Sequence, residues 1–353
     1  MCRADRMDER LSDRSSESQA EGEERPTLKT IARIAGLAVP TISRALNDAP
    51  DIGEDTKRRV RDIATRIGYR PNRAGLRLRT GKTQVISLVL STQTDLMDHT
   101  ARLVSSLAGA LRGTPYHLII TPYFPDEDPL APVKYIVESG SADGIVMNQI
   151  EPRDRRVAYL LEREFPFATH GRTVWTHAWA DYDNAAYARI AVDQLVRRGR
   201  QRIGLLLPPL SQNYAQNLRE GATEAAARLG AELVLIAGAT SDSPREALIP
   251  VMQRYVAGPD ACDGFIIPNA SAVMAAVNVA EDAGLVLGRD FDLAAKEASP
   301  FLRSFRRGIL SCHEDVTGVA QFLARAVMHR IARPDEAPMQ YLDVPSADWD
   351  REA

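Results

Sequence analysis

Short apolar runs alternate with amphipathic helical stretches from about residue 83 onward, and this alternation constrains the fold more than any other feature of the chain. Runs of four to seven apolar residues are typical of strands buried on both faces of a parallel sheet. Since parallel strands need long crossovers, the pattern predicts an α/β architecture. The predicted strands are 85–91, 116–121, 144–147, 167–170, 203–207, 233–237, 264–267 and 291–295, and the predicted helices are 98–112, 151–163, 184–199, 214–229, 244–257, 271–284 and 314–332.

This alternating region spans about 270 residues, which is too long for one ordinary domain. It therefore predicts two doubly wound lobes. Ligands of such sheets bind at the carboxyl ends of the strands, so a cleft between the lobes is the expected site.

The charge of the chain is distributed unevenly. Residues 26–82 carry 13 basic and 5 acidic side chains, whereas residues 83–353 carry 26 basic and 34 acidic ones. A basic segment attached to an acidic body is typical of a protein that binds a polyanion through one part only. Nucleic acid is the first candidate.

Within the basic segment, apolar spacing predicts three short helices. Leu28, Ile31 and Ala35 share one face of the first helix, Gly36 ends it, and a second helix is predicted from about Val39 to Asn47. A third helix is predicted from Glu54 to Ile67, with Lys57, Arg58, Arg59, Arg61 and Arg66 largely on its solvent side. Two helices separated by about three residues match a helix-turn-helix; a small basic helical bundle is the alternative.

The string TLKTIARIAGLAVPTISRALN, followed by GYRPNRAGLRLRTGKT, resembles the LacI/GalR family of bacterial transcription regulators. The strings DNAAYARIAVDQLVRRGRQRIGLLLPP and NLREGATEAAARLGAEL resemble the core of the same family. The resemblance covers roughly 26–345. It implies a repressor or activator with a helix-turn-helix headpiece, a hinge helix and a two-lobed core similar to periplasmic sugar-binding proteins.

The resemblance also implies which residues contact DNA. Val39 and Pro40 hold positions where the family reads base edges, and Arg44 can donate two hydrogen bonds to guanine. Thr41, Ser43 and Asn47 are expected to bind phosphates or to hold the turn, with helix capping as the alternative for Ser43 and Asn47. In the hinge, Asn72 and Arg73 are expected near the backbone and Leu78 between base pairs of the minor groove. Packing of Leu78 onto the core is the alternative.

Three positions depart from the pattern of the family. Ala38 replaces the Ser that caps the second helix, which costs about 1 kcal/mol. Gly75 stands where Ala is usual in the hinge helix and costs roughly 1 kcal/mol of helix propensity, and Leu76 replaces Arg or Gln. We expect weaker folding of the hinge helix than in close relatives.

Most of the candidate effector contacts are polar residues that follow predicted strands, where the resemblance places ligand contacts. Asn148 and Asn269 are the first choices, because hydroxyl groups of a ligand need fixed donors and acceptors. The other candidates are Asp95, His170 and Arg172, which follow predicted strands, and Glu297 and His313, for which the resemblance implies ligand contacts. Structural hydrogen bonding is the alternative for all five.

The effector class is less constrained by the sequence. The family carries an effector-binding Arg three residues before Gly221, where this chain has Leu218, and Asn217 or Arg219 is the expected substitute. The G-[FY]-D-D motif is also replaced, by residues 295–298. A saccharide, with an α-glucoside as first guess, is the expected effector, and a purine or another metabolite is the alternative.

The sequence gives little support to other classes of protein. The chain lacks the G-x-G-x-x-G, G-x-x-x-x-G-K-[ST], G-x-S-x-G and H-E-x-x-H motifs, so an enzyme is not expected. Cys2, Cys262 and Cys312 have no metal or redox spacing, and we expect no metal, disulfide or cofactor. A solute-binding protein would share the core but needs export, whereas the chain starts without an apolar signal sequence and is expected in the cytoplasm.

The resemblance further implies a homodimer on a pseudo-palindromic operator, and no heptad segment for tetramers follows the core. The expected boundaries are 1–25 for a disordered tail, 26–70 for the helix-turn-helix domain, 71–82 for the hinge helix and linker, 83–345 for the effector-binding and dimerisation core, and 346–353 for a tail. Within the core, the N-terminal lobe is expected at about 83–182 and 314–333, and the C-terminal lobe at about 183–313 and 334–345.

Overall fold

The structure is a computed structural model that describes residues 26–69, 77, 81–92, 99–346 and 349, apart from the side chain at position 303. The chain divides into two compact units, Met1–Gly81 and Lys82–Ala353. Among the helices in the described ranges, none is long and apolar enough to cross a membrane.

The first unit contains three helices, α1 (Leu28–Ala35), α2 (Val39–Leu46) and α3 (Glu54–Arg66). The Thr27 side chain caps α1, and Gly36 ends it in a left-handed conformation with φ of 65°. This ending turns the chain within three residues into α2, as a helix-turn-helix requires. The three helices share a core formed by Ile31, Ala35, Ile42, Ala45, Val60, Ile63 and Ala64.

The second unit is built from eleven strands and nine helices within the described residues. The strands are β1 (Val85–Ser91), β2 (His117–Tyr123), β3 (Gly144–Met147), β4 (Phe167–His170), β5 (Trp179–Tyr182), β6 (Arg202–Leu205), β7 (Glu232–Leu235), β8 (Gly264–Ile267), β9 (Asp292–Glu297), β10 (Leu310–His313) and β11 (Gln340–Asp343). The helices are α4 (Ala101–Ala110), α5 (Leu130–Ser139), α6 (Arg155–Glu162), α7 (Asn184–Arg197), α8 (Asn213–Leu229), α9 (Arg245–Val256), α10 (Ala270–Asp282), α11 (Phe301–Phe305) and α12 (Val316–Ala332).

The strands form two parallel sheets, one in each lobe. The sheet of the first lobe has the order β11-β5-β4-β3-β1-β2, and that of the second lobe has the order β10-β9-β8-β6-β7. Every residue of β1, β3 and β8 is buried, as expected for central strands covered on both faces. The architecture is therefore the predicted α/β fold with two doubly wound lobes.

The chain passes between the lobes in three places: from β5 to α7, from β10 to α12, and after β11. Although α12 follows a strand of the second lobe, it packs on the first, where Val319, Leu323 and Val327 join the core of Ile86 and Val146. The segments between β5 and α7 and between β10 and α12 are only one and two residues long. They hold the carboxyl ends of both sheets close to one another.

The assignment of 334–345 to the C-terminal lobe is wrong, because β11 pairs in parallel with β5 in the first sheet. The assignment of 346–353 as a tail is also wrong at Trp349, which is 3% exposed and stacks on Tyr187 with ring centroids 5.5 Å apart. Five elements were not predicted from the sequence, because they are short or carry few consecutive apolar residues: β5, β10, β11, α5 and α11. In α5, Pro132 interrupts the usual helix signal.

Candidate functional site

The exposed face of α2 carries the residues predicted to contact DNA. Val39 is the first residue of the helix, and Pro40 lies in its first turn, where a missing N–H is harmless. The buried side chains of α2 are Ile42 and Ala45, so the predicted set lies on the exposed and half-buried surface of the helix. That set comprises Val39, Pro40, Thr41, Ser43, Arg44 and Asn47.

Two of these side chains already have partners on the headpiece. The Arg44 guanidinium pairs with Asp51, and the side chain of Arg44 remains 57% exposed. Asn47 is the C-cap residue of α2, and its amide donates to the carbonyl of Ser43, which is the helix-capping alternative. Since an exposed ion pair contributes about 0–1 kcal/mol, Arg44 can exchange Asp51 for a base edge at little cost.

The N-terminus of α2 lacks a side-chain cap, as the Ala38 substitution predicts. Ala38 occupies the N-cap position, and no side chain accepts from the first turn among the residues that the structure describes. The N–H of the third helical residue, Thr41, is the one that a Ser at this position would bind.

One basic side chain of α3, that of Lys57, does not lie where the sequence predicted. Lys57 was predicted on the solvent side, but it is 6% exposed. Its Nζ lies 2.7 Å from Glu54 Oε1 and 3.5 Å from Asp48 Oδ1. Arg61 also pairs with Asp48 and lowers the pKa of that carboxyl. Lys57 therefore joins the loop after α2 to α3 and is not part of a free basic surface.

Four predicted contacts lie outside the described residues. Asn72, Arg73 and Leu78 belong to the predicted hinge, and Asp95 follows β1. Their assignments stay predictions.

In the second unit, a cavity of about 310 Å³ lies between the carboxyl ends of the two sheets. This is the place where doubly wound sheets bind ligands, and the volume lies at the small end of the range for small-molecule pockets. The first lobe lines it with His99, Asn148, Gln149, Ile150, His170, Gly171 and Asp181, followed by Asn184 at the passage between lobes and Glu314 at the next one. The second lobe lines it with Pro208, Tyr214, Ser241, Asp242, 268–271, Met274, 296–299 and Phe301.

A cluster of charged and polar side chains occupies one wall of this cavity. Lys296 Nζ lies 2.8 Å from Glu314 Oε2 and donates to Asn184 Oδ1 at 3.0 Å. The other oxygen of Glu314, Oε1, is 3.4 Å from His99 Nε2 and 3.7 Å from His170 Nε2. The side chain of Glu314 is 4% exposed. We call these five residues the polar cluster.

Burial and neighbouring charges set the protonation of the polar cluster. Burial is the main cause that lowers the pKa of His170 to about 3, and His99 acts in the same direction. Burial alone would raise the pKa of Glu314, but Lys296 and His99 hold it well below the ordinary value. At neutral pH the cluster therefore presents a neutral imidazole, a carboxylate and an ammonium group to a ligand.

The geometry of the polar cluster does not suit a metal ion. His99, His170 and Glu314 offer three ligand atoms within 4.8 Å of one another. However, the two imidazole rings are stacked 5.1 Å apart in nearly parallel planes, 6° from one another, and a metal ion would have to lie in both planes. Lys296 adds a positive charge beside Glu314. The arrangement is suited to donate and accept hydrogen bonds.

Four predicted effector residues line the cavity. Asn148 is 5% exposed, and its Oδ1 has no hydrogen-bond partner within the described ranges. His170 belongs to the polar cluster. Asn269 caps α10 by accepting from the Ser271 N–H at 2.8 Å, and Glu297 Oε2 accepts from the Leu302 N–H at 2.7 Å. Asn269 and Glu297 thus hold the backbone of this wall as well as facing the cavity.

Three other predicted residues do not line the cavity. Arg172 Nε donates to Asp181 Oδ2 at 2.8 Å, so Arg172 holds a lining residue and does not face the ligand site. His313 is exposed, and the adjoining Glu314 faces the cavity in its place. Asn217 lies on α8 away from the lining, and Leu218 is fully buried in the core of the second lobe.

The sequence analysis missed most of the polar cluster. Asn184 opens α7 one residue after the end of β5, a strand that was not predicted, and Glu314 follows β10, which was also missed. Lys296 lies within the replaced G-[FY]-D-D motif, where a charged substitute could have been recognised as a cavity residue. Burial raises the pKa of another missed residue, Asp181, to about 6 in spite of Arg172.

The two units match separate sequence families. Residues 27–72 match the bacterial regulatory proteins of the lacI family, and residues 192–349 match the periplasmic binding protein-like domain.

Relatives found by sequence comparison are transcriptional regulators. The HTH-type transcriptional regulator AglR of Rhizobium meliloti (strain 1021) is 28% identical over 323 residues, which cover 89% of this chain and 90% of AglR. The HTH-type transcriptional regulator RafR of Escherichia coli is 33% identical over 199 residues, which cover 55% of this chain and 59% of RafR.

Solved structures share the fold at lower identity. The lac repressor dimer bound to operator and the anti-inducer ONPF has a TM-score of 0.79 at 16% identity, over 92% of this chain and 97% of that one. The CelR–cellobiose complex has a TM-score of 0.66 at 19% identity, over 91% of this chain and 98% of that one.

Proposed function

The chain belongs to the LacI family of bacterial transcription regulators, a family of DNA-binding proteins, and from this premise we propose that it is a homodimeric repressor controlled by a neutral saccharide. The headpiece reads a pseudo-palindromic operator through α2, and the saccharide binds between the lobes of the core. A homodimer presents two copies of α2, which fits a two-fold symmetric site.

One observation carries the choice of effector. The cavity combines the polar cluster with apolar and aromatic surface from Tyr214, Met274 and Phe301. A sugar presents hydroxyl groups that both donate and accept, together with apolar ring faces, so it suits such a lining. The solved CelR complex, which has the same fold, contains the disaccharide cellobiose.

Carboxylates make an anionic effector a poor fit. Asp181, Asp242, Glu297 and Glu314 line the cavity, against Lys296 as its one lysine or arginine among the described residues. A phosphorylated or acidic sugar would meet like charges in a site of low dielectric constant. The proposed effector is therefore uncharged.

The effector is tested by thermal unfolding of the full chain in the presence of neutral sugars, sugar phosphates and nucleobases. All three tryptophans, Trp175, Trp179 and Trp349, lie in the second unit, so their fluorescence follows the core. A ligand at 100 times its Kd adds about 2.7 kcal/mol of stability. A shift with nucleobases alone would contradict the saccharide proposal.

Operator reading is tested by selecting duplexes from a random library with the full chain. We expect a two-fold symmetric consensus, and Arg44→Ala should lose about 1–3 kcal/mol of discrimination at one base pair of each half-site. Arg58→Ala is the matched control, because Arg58 is an exposed arginine on α3 that pairs with Asp55. An equal loss for Arg44→Ala on specific and random duplexes would exclude base reading.

An exposed apolar edge supports dimerisation through the first lobe. Ile119, Ile120 and Phe124 are 48%, 47% and 55% exposed on or beside β2, an edge strand of its sheet. Exposed apolar side chains along the open edge of a sheet are typical of an interface. In sedimentation equilibrium at micromolar concentration, we expect a dimer for the wild type and a monomer for Ile119→Glu, whereas the similarly exposed control Val174→Glu should stay dimeric. A monomeric wild type would refute the proposal.

A further inference from the structure

A second cavity, of about 300 Å³, adjoins the proposed effector cavity. Gln149 and Asp242 line both cavities, so the two spaces lie on either side of these side chains. The first lobe contributes residues from 123–130 and 151–156, and the second lobe contributes Pro209, Ser211 and Gln212. The second cavity is therefore also enclosed by both lobes.

Two buried side chains that line this cavity each have a polar atom without a hydrogen-bond partner among the described residues. Arg156 is 4% exposed, and its Nη1 has no hydrogen-bond partner among the residues described. Gln212 is 8% exposed, and its Oε1 likewise lacks a partner in the described part of the chain. Buried polar atoms are nearly always paired, so an unpaired donor and an unpaired acceptor in one cavity indicate a missing partner with hydroxyl-like chemistry.

The remaining atoms of Arg156 hold it in place. Its Nε donates to Asp154 Oδ1 at 3.0 Å, and its Nη2 donates to Asp154 Oδ2 at 2.7 Å. The same Nη2 donates to the carbonyl of Gln149 at 2.8 Å. Because these bonds fix the guanidinium plane, Nη1 is a rigid donor.

The boundary between the two cavities is strained. Gln149 has φ of 52°, in the left-handed region that a residue other than glycine rarely adopts. Strain of this kind persists where surrounding contacts impose it, and it is common at ligand sites. Arg156, which lines the second cavity, donates to the carbonyl of Gln149, so the second cavity is bonded to a residue of the first.

We propose that the second cavity is a further saccharide subsite, and that the effector is an oligosaccharide whose chain passes Gln149 and Asp242 to reach Arg156 and Gln212. This proposal rests on the proposed function, since it extends the same saccharide site. The proposed oligosaccharide is uncharged, because an acidic sugar would be repelled by the lining of this cavity too. Acidic side chains outnumber basic ones in this lining. They are Glu127, Asp128, Glu151, Asp154 and Asp242, against Arg155 and Arg156, and each arginine is paired with an aspartate.

The test is calorimetric titration of the full-length protein with mono-, di-, tri- and tetrasaccharides of three series: α-linked glucose, β-linked glucose and α-linked galactose. In the series that binds, we expect the trisaccharide to bind at least tenfold more tightly than the disaccharide. Gln212→Ala should abolish this gain while changing the affinity for the shortest binding sugar by less than twofold.

Gln216→Ala is the matched control. Gln216 lies one turn further along α8, its Nε2 donates to the Leu210 carbonyl at 3.0 Å, and it lines neither cavity. This variant should retain the gain with chain length, and tryptophan fluorescence on unfolding checks that both variants are folded.

The outcomes separate the two proposals. If the disaccharide binds but longer sugars bind no more tightly, or if Gln212→Ala keeps the full gain, the second subsite is refuted while the saccharide effector stands. If no sugar of any series binds, the saccharide effector and the subsite are refuted together.

Discussion

Replacing Lys296 by Met should destabilise the core, because it breaks a buried ion pair. The Lys296 side chain is 11% exposed and is paired at 2.8 Å with Glu314, which is 4% exposed. Removing one partner of a buried ion pair costs about 3–5 kcal/mol, because the other charge is left unpaired. His99 and His170 still face Glu314, so we expect the lower end, about 3 kcal/mol, at pH 7.

The assay is urea unfolding of the full chain followed by tryptophan fluorescence, which reports the second unit alone. Lys134→Met is the matched control, because Lys134 is an exposed lysine on α5 and should change stability by less than about 0.5 kcal/mol. Lys296→Met/Glu314→Gln should recover most of the loss, since the unpaired charge is gone. A loss below about 1 kcal/mol for Lys296→Met, or a double variant as unstable as the sum of the single ones, would refute this account.

The pH dependence gives a second check of the same pair. In the wild type the pKa of Glu314 is depressed below its ordinary value of 4.5, so its contribution is present above that pH and is lost as the pH falls through the folded-state pKa. In Lys296→Met, burial is no longer opposed by the ammonium group, and the pKa of Glu314 rises. The difference in stability between the two proteins should therefore shrink as the pH falls from 7 towards 4.

Two further substitutions test packing and capping. Ala38→Ser should add the missing cap of α2, worth about 1 kcal/mol, and should slow amide hydrogen exchange at Thr41 about fivefold, as measured by NMR. Unchanged exchange would mean that the backbone N–H of Thr41 already has another hydrogen-bond partner. Gly221→Ala should cost about 1–3 kcal/mol in urea unfolding, because its added Cβ would lie 2.2 Å from the Ala185 carbonyl oxygen, whereas Gly109→Ala, with open space around it, should be neutral or slightly stabilising. Equal effects for both glycine variants would contradict the close packing of α7 on α8.

The parts of the fold that could be predicted from sequence are those with strong local patterns. The helix-turn-helix follows from the spacing of Ile31, Ala35 and Gly36, and the central strands follow from short apolar runs such as 144–147. By contrast, β11 is only half-buried or exposed, and nothing local in the sequence says which of two sheets a short edge strand will join. The assignment of 334–345 failed for that reason.

The difference between local sequence patterns and tertiary contacts also explains which site residues could be predicted. Asn148 and Asn269 were recognisable because each lies within two residues of the end of a predicted strand. Arg172 follows β4 and His313 ends β10, yet neither lines the cavity, since Arg172 is paired with a buried aspartate and the His313 side chain is exposed. A strand end fixes which edge of the sheet a residue occupies but not which partner it meets.

The polar cluster could not be predicted because its members come from distant parts of the chain that only the passages between lobes bring together. Asn184 follows the first passage and Glu314 lies in the second, and Lys296 reaches both from β9. A ligand that exchanges hydrogen bonds with Lys296 would therefore act on two of the three segments that connect the lobes. We expect the cluster to couple occupancy of the cavity to the relative position of the lobes, which is the property that an effector-controlled regulator requires.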